Sequence, residues 1–206
     1  MSSAKSEATR EKLIRSTARL LRTQGYGATG LSEITAESGV PKGSLYHHFP
    51  GGKEALAAAS MDHAGAGILV RLQGLLERVS QDPVEAIRSF CDFYVEQLES
   101  SDFRRGCPIA TVALETATEV DAVQEACARA FANIAKLVAL QLEDAGLARD
   151  EAQGRAHLVL ASIEGALLLA KTARSTEALL AVRDQVTQQL TDDIARASEA
   201  HERNSK

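Results

Sequence analysis

Between Leu31 and Pro50 the chain has room for two short helices and nothing longer. Ser38-Gly39-Val40-Pro41 breaks the segment in its middle, and Pro50-Gly51-Gly52 closes it. Gly39 suits the left-handed backbone that reverses a chain within a few residues. Pro41 fits a helix start, where its fixed φ is already helical and its missing N–H has no intrahelical partner to lose. Ile34, Val40 and Leu45 can then meet in the angle between the two helices, with Phe49 turned to the same side. The preceding segment, about residues 6–23, carries Leu13, Ile14, Thr17, Ala18, Leu20 and Leu21 as one broad apolar stripe on which such a pair can pack. The outcome is a three-helix unit whose second and third helices form a helix-turn-helix.

The rest of the chain repeats helical spacing and shows no strand alternation. Helices are expected over about 53–79, from Pro83 to the break at Gly106-Cys107-Pro108, and over about 109–117, 120–145, 150–174 and 176–200. Asp82-Pro83-Val84-Glu85 is a complete start signal, with a capping acid, Pro at the first helical position and Glu at the third. Gly146 is placed to end the helix before it. The last two helices are separated by little more than Ser175, which makes them an antiparallel pair; the tail from His201 is expected to fray. Aromatic residues make up 4% of the chain, and it has no Trp and only four Pro, in keeping with an all-α fold of about nine helices. The expected organisation is a helix-turn-helix domain over residues 1–52 and a helical-bundle domain over 53–206.

The same reading excludes several classes. No apolar run is expected to reach the length of a membrane span. The polar N-terminus has no signal-like core, so a cytoplasmic protein is expected. Cys91, Cys107 and Cys127 are too few and too far apart for a disulfide or zinc framework. His47 and His48 have no nearby acidic partner, and His63, His157 and His201 are scattered. There is no Gly-rich phosphate loop and no nucleophile elbow. No catalytic residue, metal or cofactor is therefore expected.

The formal net charge is −5, which at face value opposes nucleic-acid binding. Its distribution says otherwise. Residues 1–60 hold eight Lys and Arg against five acids, a net +3, and the remaining fifteen bases and twenty-three acids give −8. On the basic head, the helix Lys42-Gly43-Ser44-Leu45-Tyr46-His47-His48 offers hydrogen-bonding groups for phosphates and base edges. Gly43 would let the backbone approach DNA closely. Lys53, at the start of the next helix, adds a cation and a helix N-terminus, both attractive to phosphate. Spacing alone leaves an alternative, because helix-turn-helix shapes also occur in proteins that never touch DNA. A helical adaptor would present the same helices to a protein partner.

The string Gly39-Val40-Pro41-Lys42-Gly43-Ser44-Leu45-Tyr46-His47-His48-Phe49-Pro50, followed by Lys53-Glu54-Ala55-Leu56, resembles the N-terminal domain of the tetracycline-repressor (TetR) family of bacterial regulators. Arg105-Gly106-Cys107-Pro108-Ile109 and Glu164-Gly165-Ala166-Leu167-Leu168-Leu169 are similar to the LmrA/YxaF-like branch, which includes repressors of multidrug-efflux genes. The resemblance implies a homodimeric, ligand-responsive repressor, released from a palindromic double-stranded DNA operator when a small apolar or amphipathic molecule binds the C-terminal domain. It implies DNA contacts from Thr29, Ser32, Pro41, Lys42, Gly43, Ser44, Tyr46, His47, His48 and Lys53. Three departures stand out. Thr35 and Ser38 replace the usual Ala, Gly30 replaces a Ser or Thr cap and weakens a capping box with Glu33, and Gly51-Gly52 lengthens the link before Lys53.

In the acidic body the resemblance implies a dimer interface on the last two helices, with Leu158, Ser162, Gly165, Ala166, Leu169, Leu179, Val182, Val186 and Leu190 as its candidates. Two such pairs would form a four-helix bundle across a two-fold axis; packing within one chain is the other reading of the same stripe. The candidate effector pocket comprises Ile68, Phe90, Tyr94, Ile109, Val112, Phe131 and Ile134, with Phe103 at an entrance and Cys107 beside it, an apolar set suited to a small-molecule cavity. Plain core is the more common role for each of these residue types at such positions. Arg104 and Arg105 before Cys107 are of the kind that lower a thiol pKa, so a redox or electrophile-sensing role is weighed there against a buried, inert thiol.

Overall fold

The computed structural model describes residues 3–116 and 120–204. Among them are nine α-helices and no strand: α1 (Ser3–Gln24), α2 (Leu31–Ser38), α3 (Lys42–His48), α4 (Gly52–Arg78), α5 (Pro83–Ser100), α6 (Pro108–Thr116), α7 (Asp121–Asp144), α8 (Arg149–Ala173) and α9 (Glu177–Asn204). The expected end of α6 at Ala117 lies outside the described residues. The tail from His201 is helical as far as Asn204, rather than frayed.

The local signals act as the chemistry requires. Gly39 caps α2 with φ +60, and its N–H bonds the Ala36 carbonyl. The Asp82 carboxylate accepts from the N–H groups of Val84 and Glu85 at 2.9 and 3.2 Å. Glu85 does not complete a capping box; it lies 3.4 Å from Arg88 instead. Gly30 caps α2 with no side-chain bond, and Glu33 accepts from Gln24 Nε2 at 2.6 Å instead of closing a box.

The chain forms two compact units, and neither follows the expected boundary at residue 52. One holds residues 1–67 and 107–131, the other 68–106 and 132–206. The first comprises α1 to α3, most of α4, α6 and the start of α7. Its centre is Leu13, Ile14, Ile34, Val40, Leu45, Phe49 and Leu56, all buried. The second comprises the end of α4, α5, most of α7, α8 and α9. Here α9 packs on both α5 and α8. Polar ties reinforce those seams. Arg183 bonds Asp92 at 2.6 Å, Arg88 bonds Thr187 at 3.0 Å, and the buried Asp193 lies between Arg155, 2.6 Å away, and Arg196.

One expectation fails at α8. By length and composition this helix is long and apolar enough to cross a membrane, yet only 33% of its apolar window is buried in the protomer. The sequence reading missed this because Glu164 and the terminal charges interrupt the run. The buried part, with Val159, Ile163 and Ala166, faces the unit's own core, and Leu158, Leu168 and Leu169 stay exposed.

Candidate DNA-binding and effector sites

In the first unit, Ile34, Val40, Leu45 and Phe49 are buried together and fix the angle of α3 against α2. The Ser38 hydroxyl accepts from Val40 N–H at 3.2 Å, so the unusual Ser has a function within the turn. With Leu45 turned inward, the opposite face of α3 is presented outward. Lys42, Gly43, Tyr46 and His47 are exposed, as are Ser32 and Pro41, and Ser44 and His48 are half-buried. Lys42 Nζ stands 6.0 Å from the Tyr46 ring centre. No atom would obstruct a Cβ at Gly43, so the helix surface is open there.

Two of the sequence-predicted contacts are placed differently. Thr29 is 0% exposed, and its hydroxyl donates to the Gly25 carbonyl at 2.7 Å. It is a loop fastener and has no surface to offer DNA. Lys53 is half-buried, with Nζ 4.1 Å from the Tyr26 ring centre. Partial burial holds its ammonium below the ordinary lysine value, and the Glu115 carboxylate opposes that shift. Burial, aided by Glu54, holds the Tyr26 phenol above its usual value, so the ring stays neutral beneath the cation.

Glu115, which the sequence reading did not single out, reaches from the end of α6 and accepts the Gly27 N–H at 2.7 Å. Gly25 is shaped to it: φ is +80, and a Cβ there would fall 1.7 Å from Glu115 Oε1. No local pattern could reveal a pairing across 88 residues of chain.

In the second unit a cavity opens between four helices. Its walls are Ile68 and Leu72 of α4, Ile87, Phe90 and Tyr94 of α5, Ile134 and Val138 of α7, and Val159, Leu160, Ile163 and Glu164 of α8. The concavity spans about 430 Å³ including space open to solvent, but the cavity proper is about 20 Å³, room for a water or so. Of the nine candidate pocket residues, Ile68, Phe90, Tyr94 and Ile134 line it. Cys107, Ile109 and Val112 are buried in the first unit, to which Phe131 also belongs, and Phe103 sits in a tight left-handed turn with Asp102 after α5. The contribution of α8 was hidden because an almost uniformly apolar helix gives no sign that it has two working faces.

The three thiols are buried and free of disulfides. Burial pushes the Cys91 thiol up to about 12, with Asp92 adding to the shift, and the Cys127 thiol up to about 11, with Asp62 adding. Cys107 is 3% exposed at the start of α6.

The candidate dimer residues divide by exposure. Leu158 and Leu169 are exposed, at 43% and 59%; Gly165 is also exposed, and Ser162 and Val182 are half-buried. With Val186, buried at the groove's edge, Leu158, Ser162 and Val182 border a shallow groove between α8 and α9. Ala166, Leu179 and Leu190 are buried within the protomer, so they form its core and not an outward face.

A small outward-facing helix clamped on a second, with an apolar cavity in a separate helical unit, defines a helix-turn-helix regulator. The comparisons agree. The family described as bacterial regulatory proteins, tetR family, matches residues 13–60, and the one described as transcriptional regulator LmrA/YxaF-like, C-terminal domain, matches residues 83–185. The chain is 36% identical over 177 residues to the uncharacterized HTH-type transcriptional regulator YxaF of Bacillus subtilis, covering 86% of this chain and 92% of that one. It is 36% identical over 171 residues to the HTH-type transcriptional regulator LmrA of the same organism, covering 83% and 90%. Among solved structures it is similar to the reduced form of Escherichia coli NemR, with a TM-score of 0.76, 26% identity and coverage of 88% and 97%; NemR is named an HTH-type transcriptional repressor. The chain belongs to the TetR family of transcriptional regulators. It is a DNA-binding, ligand-responsive regulator and not an enzyme; regulators of this family bind operator DNA and act as dimers with small-molecule effectors. The protein-only adaptor is not favoured.

Proposed function

We propose that this chain is a homodimeric cytoplasmic repressor that sits on a palindromic operator and leaves it when an apolar or amphipathic molecule enters the cavity between α4, α5, α7 and α8. The exposed outer face of α3 is the observation that carries the reading. Lys42, Ser44, Tyr46 and His47 meet phosphates and base edges, Gly43 admits close approach, and Ser32, Pro41 and His48 border the contact. Lys53 acts mainly through its position, at the first turn of α4, where the helix N-terminus attracts phosphate. Leu158, Ser162, Gly165, Leu169 and Val182 supply the dimer face. Two reading helices about 34–36 Å apart then meet successive major grooves.

The cavity supports the release step. Its interior is too narrow for an effector as it stands, so occupancy has to spread the helices. α4 and α7 each run on, unbroken, into the unit that holds the reading helix, and they are the route for that displacement. An effector shifts the balance only by binding the spread state better.

Selection of genomic DNA fragments by the full-length dimer, followed by titration at several salt concentrations, tests this reading. Affinity should fall steeply with salt. Lys42→Ala should lower the salt slope by about one per protomer, and Tyr46→Ala should cost about 1–3 kcal/mol, with the dimer intact in both. A chain that retains no fragment, or binds without salt dependence, is not this kind of repressor.

A further inference from the structure

Lys53 follows the lengthened Gly51-Gly52 link, and its ammonium is already engaged within the protein: Nζ stands 4.1 Å from the Tyr26 ring centre. The loop that carries Tyr26 is fastened at both ends. The Gly25 N–H bonds the Leu21 carbonyl at 3.0 Å, the Thr29 N–H bonds the Tyr26 carbonyl at 3.2 Å, and the Thr29 hydroxyl holds the Gly25 carbonyl. From α6, Glu115 accepts the Gly27 N–H at 2.7 Å and lies against Gly25, so it borders the loop on either side of Tyr26. Partial burial lowers the Lys53 ammonium, and the negative charge of Glu115 works the other way, in favour of the cation. All three residues belong to the same compact unit.

We propose that Tyr26 and Glu115 form an internal anchor for the Lys53 ammonium that competes with operator phosphate, with Glu115 as the positioning residue that sets how firmly the cation is held. This deepens the DNA-binding reading above and rests on it. A ring face holds a cation only within about 6 Å of its centre. A phosphate that draws the ammonium outward forfeits that contact. A phosphate that shares the ammonium in place stands close to the Glu115 charge and is repelled by it. Either way the contact is worth less than one made by an unrestrained surface lysine, and the difference is subtracted from operator affinity. Lys42 is the reference cation for the comparison: it is exposed on α3, with Nζ at the outer limit of its own ring contact, 6.0 Å from the Tyr46 centre.

The test uses the full-length dimer and a short random-sequence duplex, because a phosphate contact is made without regard to sequence. An operator fragment from the genomic selection is titrated alongside. Affinity is followed against salt for the wild-type protein, Glu115→Gln, Lys53→Met and the two combined, with Lys42→Ala as the reference. Glu115→Gln keeps an oxygen to accept the Gly27 N–H and removes only the charge, so the loop stays in place. It should tighten binding at least about threefold and steepen the salt slope by up to about one per protomer. Lys53→Met alone should flatten the slope by less than half as much as Lys42→Ala does. In the Glu115→Gln background it should flatten it as much as Lys42→Ala does, and abolish the gain in affinity. Tyr26→Leu, which removes the ring and leaves Glu115, should also tighten binding.

The outcomes separate the two readings. If Glu115→Gln changes neither affinity nor slope, the anchor is overturned. If its gain persists with Lys53→Met, Glu115 acts by general repulsion of DNA and not through Lys53, which overturns it equally. If Lys53→Met alone flattens the slope as much as Lys42→Ala, Lys53 is an unrestrained phosphate contact and there is no anchor. A wild-type protein that binds neither duplex, or binds without salt dependence, sinks the DNA-binding reading itself, an outcome distinct from all of these. Should Glu115→Gln prove unstable, the slopes of Lys53→Met and Lys42→Ala with the affinity of Tyr26→Leu decide the matter.

Discussion

The backbone at Gly25 has a conformation that L side chains rarely adopt, and the space beside it is occupied by Glu115. Gly25→Ala therefore meets both obstacles at once. The left-handed backbone costs about 1–2 kcal/mol by itself, and Glu115 has to move from the Gly27 N–H. Thermal unfolding should show at least the backbone loss, and Glu115→Ala in the same chain should recover the steric part only. The buried thiols give a second prediction at this scale. In the folded state Cys91 and Cys127 keep their protons to about 12 and about 11, while an unfolded thiol releases its proton from about 8.5 upward. Between those values the native chain binds more protons, so stability is fully present below the unfolded value and falls as pH rises. The slope approaches about 1.4 kcal/mol per pH unit for each thiol. Cys91→Ala should flatten the alkaline limb of a denaturation series taken across that range, even though the cavity it leaves lowers stability overall. What was legible at this scale was local: Gly39, Val40, Leu45 and Phe49 lie within eleven positions, and their pattern dictates their packing. Thr29 was misplaced because a threonine beside a helix start looks the same whether its hydroxyl faces DNA or a carbonyl. Glu115 was invisible because its partner is distant in sequence.

At the scale of elements, start signals and periodicity located the helices well because caps and breakers act over a few residues. Asp82→Ala should remove both bonds to Val84 and Glu85 and cost about 1 kcal/mol, seen as a lower midpoint in chemical denaturation with an unchanged slope. Periodicity says less about what each face meets. α8 turns Val159, Ile163 and Glu164 to a cavity and Leu158, Gly165 and Leu169 outward, and its near-uniform apolarity disguises the division. Ala166, Leu179 and Leu190 belong to the core for the same reason that their pattern suggests an interface: an apolar stripe signals burial without saying which surface buries it. The ion pairs of Asp193 with Arg155 and Arg196 help to set the register of α8 on α9, since a buried carboxylate tolerates few other positions.

At the scale of the molecule, the proposed dimer face is separable from the fold, because Leu158, Leu168 and Leu169 on α8 are exposed and outside the protomer core. Leu169→Glu leaves the protomer core untouched, so each chain should stay helical while sedimentation shows monomers. Operator affinity should then drop by well over about tenfold, because one reading helix no longer brings the other. The charge division also belongs here: a net of −5 concealed a basic head, so the sum was a poor guide to what the chain touches. The compact units departed from the expected boundary because α6 packs on α1, a contact that joins segments far apart in sequence. The narrow cavity has one more consequence. As the proposed effector chamber, a cavity almost filled by its own side chains has a threshold built into it. Every occupant has to meet the cost of parting the helices, so the observed sensitivity is the intrinsic affinity scaled by how often the chamber stands open. Trimming a wall residue such as Val138 or Ile163 would change that frequency. Dose response and ligand choice can therefore evolve apart, the first set by how tightly four helices close and the second by the side chains that line the space between them.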